Sequence, residues 1–157
     1  MARYTGVLTS GAALAADAGF AWWQGSATSG GLLRRVIVGV RNTTAATAVT
    51  DFQCRLGIAR CTNAGTTAGG AVTLNPNMTR FGTARTTLST TFATPPTLQT
   101  PDTLQIPFNA KSGVDIPAEF LEEIEVAKLT TDGFAFLNRS GAMPTAHVFD
   151  LFIEVEE

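Results

Sequence analysis

Residues 51–61 read DFQCRLGIARC, and from Phe52 to Ile58 the stretch alternates without a break. Phe52, Cys54, Leu56 and Ile58 fall on one side; Gln53, Arg55, Gly57 and Ala59 fall on the other. A period of two is the pattern of a half-buried β-strand, with one face on a core and the other toward water or a neighbour. A helix would scatter the same four apolar residues around its cylinder. The chain must therefore supply a second layer for this strand to rest on.

Other stretches offer that layer. Residues 32–41, LLRRVIVGVR, form a second strong strand. Its Arg34/Val36/Val38/Val40 face and its Leu33/Arg35/Ile37/Gly39/Arg41 face are both partly apolar, as expected of a central strand or one covered on both sides. Residues 19–24, GFAWWQ, read as a strand in which Trp22 and Trp23 point to opposite faces. One tryptophan enters the core, and the other needs cover from a loop or from another chain. Residues 103–108 direct Leu104, Ile106 and Phe108 inward, with Pro107 placing them at an edge or a strand end. Residues 114–116 are extended before Pro117, and 117–123 form one helical turn with proline first. Residues 86–92, 124–129 and 133–138 are further strands, the last with Phe134 and Phe136 facing one way. Residues 147–155 close the chain with Phe149, Leu151, Ile153 and Val155 on one face.

Two segments lack such periodicity. Residues 3–9 are either a short first strand or an arm reaching a neighbour, and the Ala-rich 11–18 is ambiguous. Residues 62–87 are irregular apart from 71–74, and a loop of that length is usually functional or draped on a partner. Seven to nine short strands with no long helix predict an all-β fold. The expected architecture is a single-domain antiparallel β-sandwich or jelly-roll-like barrel over residues 1–157, with an N-terminal arm (1–18) and a long loop (62–81). The expected core holds Val36, Val38, Phe52, Leu56, Ile58, Phe134, Phe136, Leu151 and Ile153.

Charged residues make up only 15% of the chain, so polar uncharged residues or partners must cover much of the surface. A net charge of −2 argues against a general nucleic-acid binder. No apolar run is long enough to span a membrane, and Asp17 interrupts the apolar N-terminal stretch where a secretion signal would need continuity. Cys54 and Cys61 would stand about 20 Å apart on an extended strand, too far for a disulfide, so both are expected as free thiols in a reducing cytoplasm. The charges are unevenly spread. Residues 1–85 carry eight arginines against Asp17 and Asp51, a balance of +6, whereas residues 86–157 carry three basic and eleven acidic residues, a balance of −8. Either the halves pair within one chain, or complementary charges meet between copies.

Catalytic signatures are missing. His147 is the sole histidine, and Asp150 would face the other side of the same strand. There is no Gly-x-Ser-x-Gly elbow. Cys54, Cys61 and His147 are too few and too scattered for a structural zinc site. Residues 25–31, GSATSGG, lack the lysine and hydroxyl ending of a phosphate loop. Glu119, Glu122, Glu123 and Glu125 read as a solvated face and not as a glycosidase pair. The expectation is a protein that is not an enzyme, with no catalytic, cofactor-binding or metal-ligating residues.

In order, the strands at 32–41 and 51–60, the Gly-rich excursion at 65–75, TLQIPFN (103–109), GVDIP (113–117), GFAFL (133–137) and FDLFIEVEE (149–157) form a pattern covering most of the chain. It resembles the head decoration (cement) proteins of tailed phages, which have a single jelly-roll-like domain. The resemblance implies a homotrimer made in the host cytoplasm. It would sit on the virion capsid surface and clamp neighbouring capsomers through the major capsid protein, with no nucleic-acid or membrane partner and no cofactor. The double tryptophan departs from the pattern. The candidate interface residues are Tyr4, Val7, Leu8, Trp22, Trp23, Leu74, Met78, Arg80 and Phe81. Competing readings are a host-glycan-binding fibre module and a head–tail adaptor of the same virion.

Overall fold

The alternating stretches become strands in a computed structural model, which describes the chain apart from residues 45, 46, 64, 122 and 123 and the side chains of 66–69. The described strands are β1 (Arg3–Thr9), β2 (Gly19–Gln24), β3 (Gly31–Asn42), β4 (Gln53–Asn63), β5 (Thr66–Val72), β6 (Asn75–Pro76) and β7 (Thr87–Thr94). They continue with β8 (Thr97–Leu98), β9 (Leu104–Asn109), β10 (Val114–Ile116), β11 (Glu125–Val126), β12 (Gly133–Asn138) and β13 (His147–Glu156). A single 3-10 turn, Ala118–Phe120, follows Pro117.

Two antiparallel sheets face each other. The first runs β10-β3-β13-β1-β6, with β11 also on β3; the second runs β5-β7-β2-β12-β4-β8, with β9 also on β4. The fold is an all-β sandwich. Its core is filled from the first sheet by Leu33, Val36, Val38, Phe149, Leu151 and Ile153, and from the second by Trp23, Leu56, Ile58, Phe134 and Phe136. Of the expected core residues, eight are at most 1% exposed. Phe52, just before β4, is half-buried and packs edge-on to the His147 ring at 5.6 Å. Pro107 lies on β9, which pairs only with β4, so its missing N–H disrupts no ladder.

Two β-bulges shift the alternation that the sequence suggests. Along β3 and β13 the register slips between Glu154 and Val155, so Leu33 and Val36 both face the core. Arg34, expected on the Val36 face, turns outward and donates from Nε to Glu156 Oε2 at 2.6 Å. Between β2 and β12 the slip lies at Phe136/Leu137, and Phe20 enters the core to stack on Phe149 at 5.1 Å.

The unpatterned segments are largely ordered into the sandwich. Residues 3–9 take the strand reading, as β1 between β13 and β6. The excursion at 62–87 contains β5 and β6, contrary to its reading as a long loop. Gly6 on β1 makes that closure tight, because a Cβ there would lie 2.7 Å from Leu74 and 2.8 Å from Leu88 side-chain carbons. The strand expected over 124–129 shrinks to Glu125–Val126. The expected helical turn at 117–123 is the 3-10 turn, and Glu122 and Glu123 lie outside the described residues.

Leu56 is fully buried, so Leu56→Ala should lower the unfolding free energy by about 2–5 kcal/mol in urea titrations. Leu129→Ala, at a side chain 56% exposed, should change it by less than about 0.5 kcal/mol.

Candidate interaction surface

A sandwich has two outer faces, and this chain treats them differently. On the second sheet all six residues of β12 are buried. Phe134 and Phe136 face the core, so Ala135 and Leu137 need cover on the outside. They join Trp22, Ala59 and Cys61 in a smaller cluster, over which Phe92 and Leu98 pack. The Trp22 and Phe92 ring centroids are 4.6 Å apart. Leu98 is carried by β8, which pairs with β4 opposite Cys61.

The same covering segment ends in an ion pair. Arg139 donates from Nη2 to Asp102 Oδ1 at 2.6 Å and from Nε to Asp102 Oδ2 at 2.8 Å. Its Nη1 reaches Asp17 at 2.9 Å. Gly57 leaves the room: a Cβ there would come within 2.6 Å of both Arg139 Cγ and Asp102 Oδ2. The Asp102 side chain is only 2% exposed. Hydrogen bonds from the Arg139 guanidinium hold its carboxyl below the usual carboxylate range against the opposing effect of burial.

The first sheet's outer face has no such cover among the described residues. Its register aligns Val7 with Phe152, Phe152 with Ile37, and Ile37 with Asp115. Val7, Phe152 and Ile37 thus form an apolar row across three strands. None of them belongs to either packed cluster, and Val7 is 65% exposed. Ion pairs flank the row. On one side Arg3 meets Glu154 at 3.2 Å and Arg35 Nε meets Asp115 at 3.0 Å. On the other, Arg41 Nε meets Asp150 Oδ2 at 2.8 Å, and the Thr9 hydroxyl donates to Asp150 Oδ1 at 2.6 Å.

The nine candidate interface residues separate accordingly. Tyr4, Leu8, Trp23 and Leu74 are buried in the main core, and Trp22 in the outer cluster. Phe81 is partly buried against the core, while Val7, Met78 and Arg80 are exposed. Only Val7 lies on the open face. Sequence reasoning missed Phe152 and Ile37 as surface residues. Their signal was a run of consecutive apolar residues, Leu151–Phe152–Ile153 and Val36–Ile37–Val38, which in a strand presents apolar groups to both faces.

The polar groups considered for chemistry are held in structural roles. His147 is 3% exposed; its Nε2 accepts from the Thr50 N–H at 3.2 Å, and Nδ1 lies 3.0 Å from the Thr145 carbonyl. Cys54 and Cys61 are free and buried, and burial pushes the thiols up to about 11 and about 12. Among the described residues no group of three His, Cys, Asp or Glu side chains converges on a metal position. No protein-family model, curated protein or solved structure matches this chain.

At pH 8 neither thiol should be alkylated by iodoacetamide in the folded protein, and both should react once urea unfolds it. Asp102→Asn should cost about 3 kcal/mol at pH 7, because it leaves Arg139 without its buried partner. A depressed carboxyl pKa contributes in full above the ordinary aspartate value near 4 and is lost as pH falls through the folded value. The stability gap between wild type and Asp102→Asn should therefore stay constant from pH 7 to about pH 5 and narrow below about pH 4.

Proposed function

We propose that this chain is a non-enzymatic virion structural protein: a homotrimer that binds the outside of a phage head and stabilises contacts between capsomers. The observation that carries the reading is the contrast between the two outer faces. One is sealed by the chain's own covering segment, and the other presents an apolar row bounded by ion pairs. An apolar row with a polar rim is the anatomy of an interaction surface. The major capsid protein is the partner outside the trimer.

The sole histidine supports the non-enzymatic part, because both ring nitrogens face backbone groups of its own chain. The glycan-binding alternative loses its aromatic platform, since Trp22 and Trp23 are 7% and 0% exposed. Closed cyclic assembly lets identical patches be buried together, which suits a protein with so few surface charges.

Light scattering at micromolar concentration should give about three times the 16.5 kDa chain mass. The purified protein should also co-sediment with undecorated phage heads and be visible as knobs on the head lattice. A monomer that ignores heads, or attachment confined to the tail, contradicts the proposal.

A further inference from the structure

We propose that His147 is a proton-operated clasp. Its neutral ring pins the chain entering β4 through Thr50, and on gaining a proton it releases residues 47–50. The clasp lies within one chain and stands apart from the virion reading above.

Two backbone groups fix the form of the ring. The Thr50 N–H can only donate, and it meets Nε2 at 3.2 Å. The Thr145 carbonyl can only accept, and it lies 3.0 Å from Nδ1. Both assign the same neutral imidazole, with its hydrogen on Nδ1. A second proton would go to Nε2 and aim an N–H at the Thr50 N–H. The proton and the Thr50 bond therefore exclude each other.

The ring has little room to turn away. It is buried, and Phe52 packs edge-on to it at 5.6 Å. The His147 N–H donates to the Pro144 carbonyl at 3.1 Å, and its carbonyl accepts from the Ala13 N–H at 3.1 Å. Ala146 holds a left-handed φ of 64°, which a residue with a Cβ adopts at a cost. The Ala146 carbonyl accepts from the Thr43 N–H at 2.7 Å and from the Thr43 hydroxyl at 3.0 Å. That tied turn keeps the Thr145 carbonyl against Nδ1, so Thr50 is the partner that gives way. Thr50 is exposed, and the Thr47 N–H bonds only locally, to the Thr44 carbonyl. Asp51 and Phe52 are held separately, by the Asn109 amide at 2.7 Å and the Ala110 N–H at 3.0 Å.

The charged groups of the surrounding elements are engaged elsewhere. Arg41 of β3 and Asp150 of β13 bind each other at 2.8 Å. Asp51 faces Asn109 and, at 3.8 Å, Lys111. Asp17, beyond Ala13, pairs with Arg139 at 2.9 Å. None of these carboxylates is paired with the ring to balance an imidazolium. The open form binds the proton and the closed form excludes it, so the clasp holds at higher pH and opens as pH falls.

Nuclear magnetic resonance on the isotope-labelled protein tests this, following the His147 ring nitrogens and amide exchange from about pH 8 to about pH 5. At the upper end the ring should show the Nδ1–H tautomer. Thr50 protection, corrected for intrinsic exchange, should fall at least about tenfold along the same curve as ring protonation. Protection of the Ala110 amide should not change. His147→Gln offers an acceptor to Thr50 and a donor to Thr145 without titrating, so its Thr50 protection should be flat over that range. The wild-type data decide alone if that variant does not fold. An Nε2–H tautomer at the upper end overturns the clasp, as does a ring that stays neutral throughout. So does a ring that takes up its proton while Thr50 stays protected, or a loss of protection that includes Ala110 and β4, which would be general acid unfolding. An equal loss at Thr50 in folded His147→Gln also overturns it.

Discussion

A strand buried on both faces needs a layer on each side, and β12 is such a strand. Its inner face carries Phe134 and Phe136, and its outer face carries Ala135 and Leu137. The covering layer is short: Phe92, Leu98 and the Asp102–Arg139 pair, held over small residues at Gly57, Ala59 and Ala135. Large residues at those positions would lift the cover away. This small third layer occupies the second sheet's outer surface. Among the described residues, it leaves the first sheet as the one with an apolar row open to partners.

Topology resolves the uneven charge along the chain. β13 lies between β1 and β3, so acids of the last strand sit beside arginines of the first and third. Glu154 and Glu156 meet Arg3 and Arg34, and Asp150 meets Arg41. Away from that strand, Arg35 meets Asp115 and Arg60 meets Asp132. Glu157 extends the pattern with a different donor set, accepting from the backbone N–H groups of Arg85 and Thr86 and from the Thr86 hydroxyl at 2.7 Å. Pairing within one chain thus accounts for much of the separation between an arginine-rich front half and an acidic back half. Exposed pairs of this kind contribute little to stability individually. Their larger effect is to leave the open face almost neutral, so it can be desolvated against a partner without stranding a charge.

The architecture was legible from alternation. The stretches around Leu56, Val38, Phe136 and Leu151 all became core strands, because a period of two admits few other folds. Three features were hidden for physical reasons. Bulges at Arg34 and Phe20 add one residue to one strand, which no periodicity count reveals without the partner strand. The strands within 62–87 draw their order from neighbours such as β7 and β1, and not from a pattern of their own, whereas 3–9 took one of its two readings. Several candidate interface residues were misplaced because loose-looking segments suggested exposure. Tyr4, Leu8 and Leu74 are instead buried, while Phe152 and Ile37, which alternation sets opposite Ile153 and Val36, were not singled out as surface residues. Trp22 was legible only as a side chain needing cover, and Phe92 supplies it from within the chain.

The central claim is that one outer face is sealed by its own chain and the other by association. Hydroxyl-radical footprinting across a dilution series, read residue by residue by mass spectrometry, tests it directly. Trp22 and Phe92 should stay protected at every concentration. Phe152 should be oxidised in the most dilute samples and become protected as association proceeds. Oxidation of Trp22 and Phe92 in the folded protein, or a Phe152 signal indifferent to concentration, would contradict it.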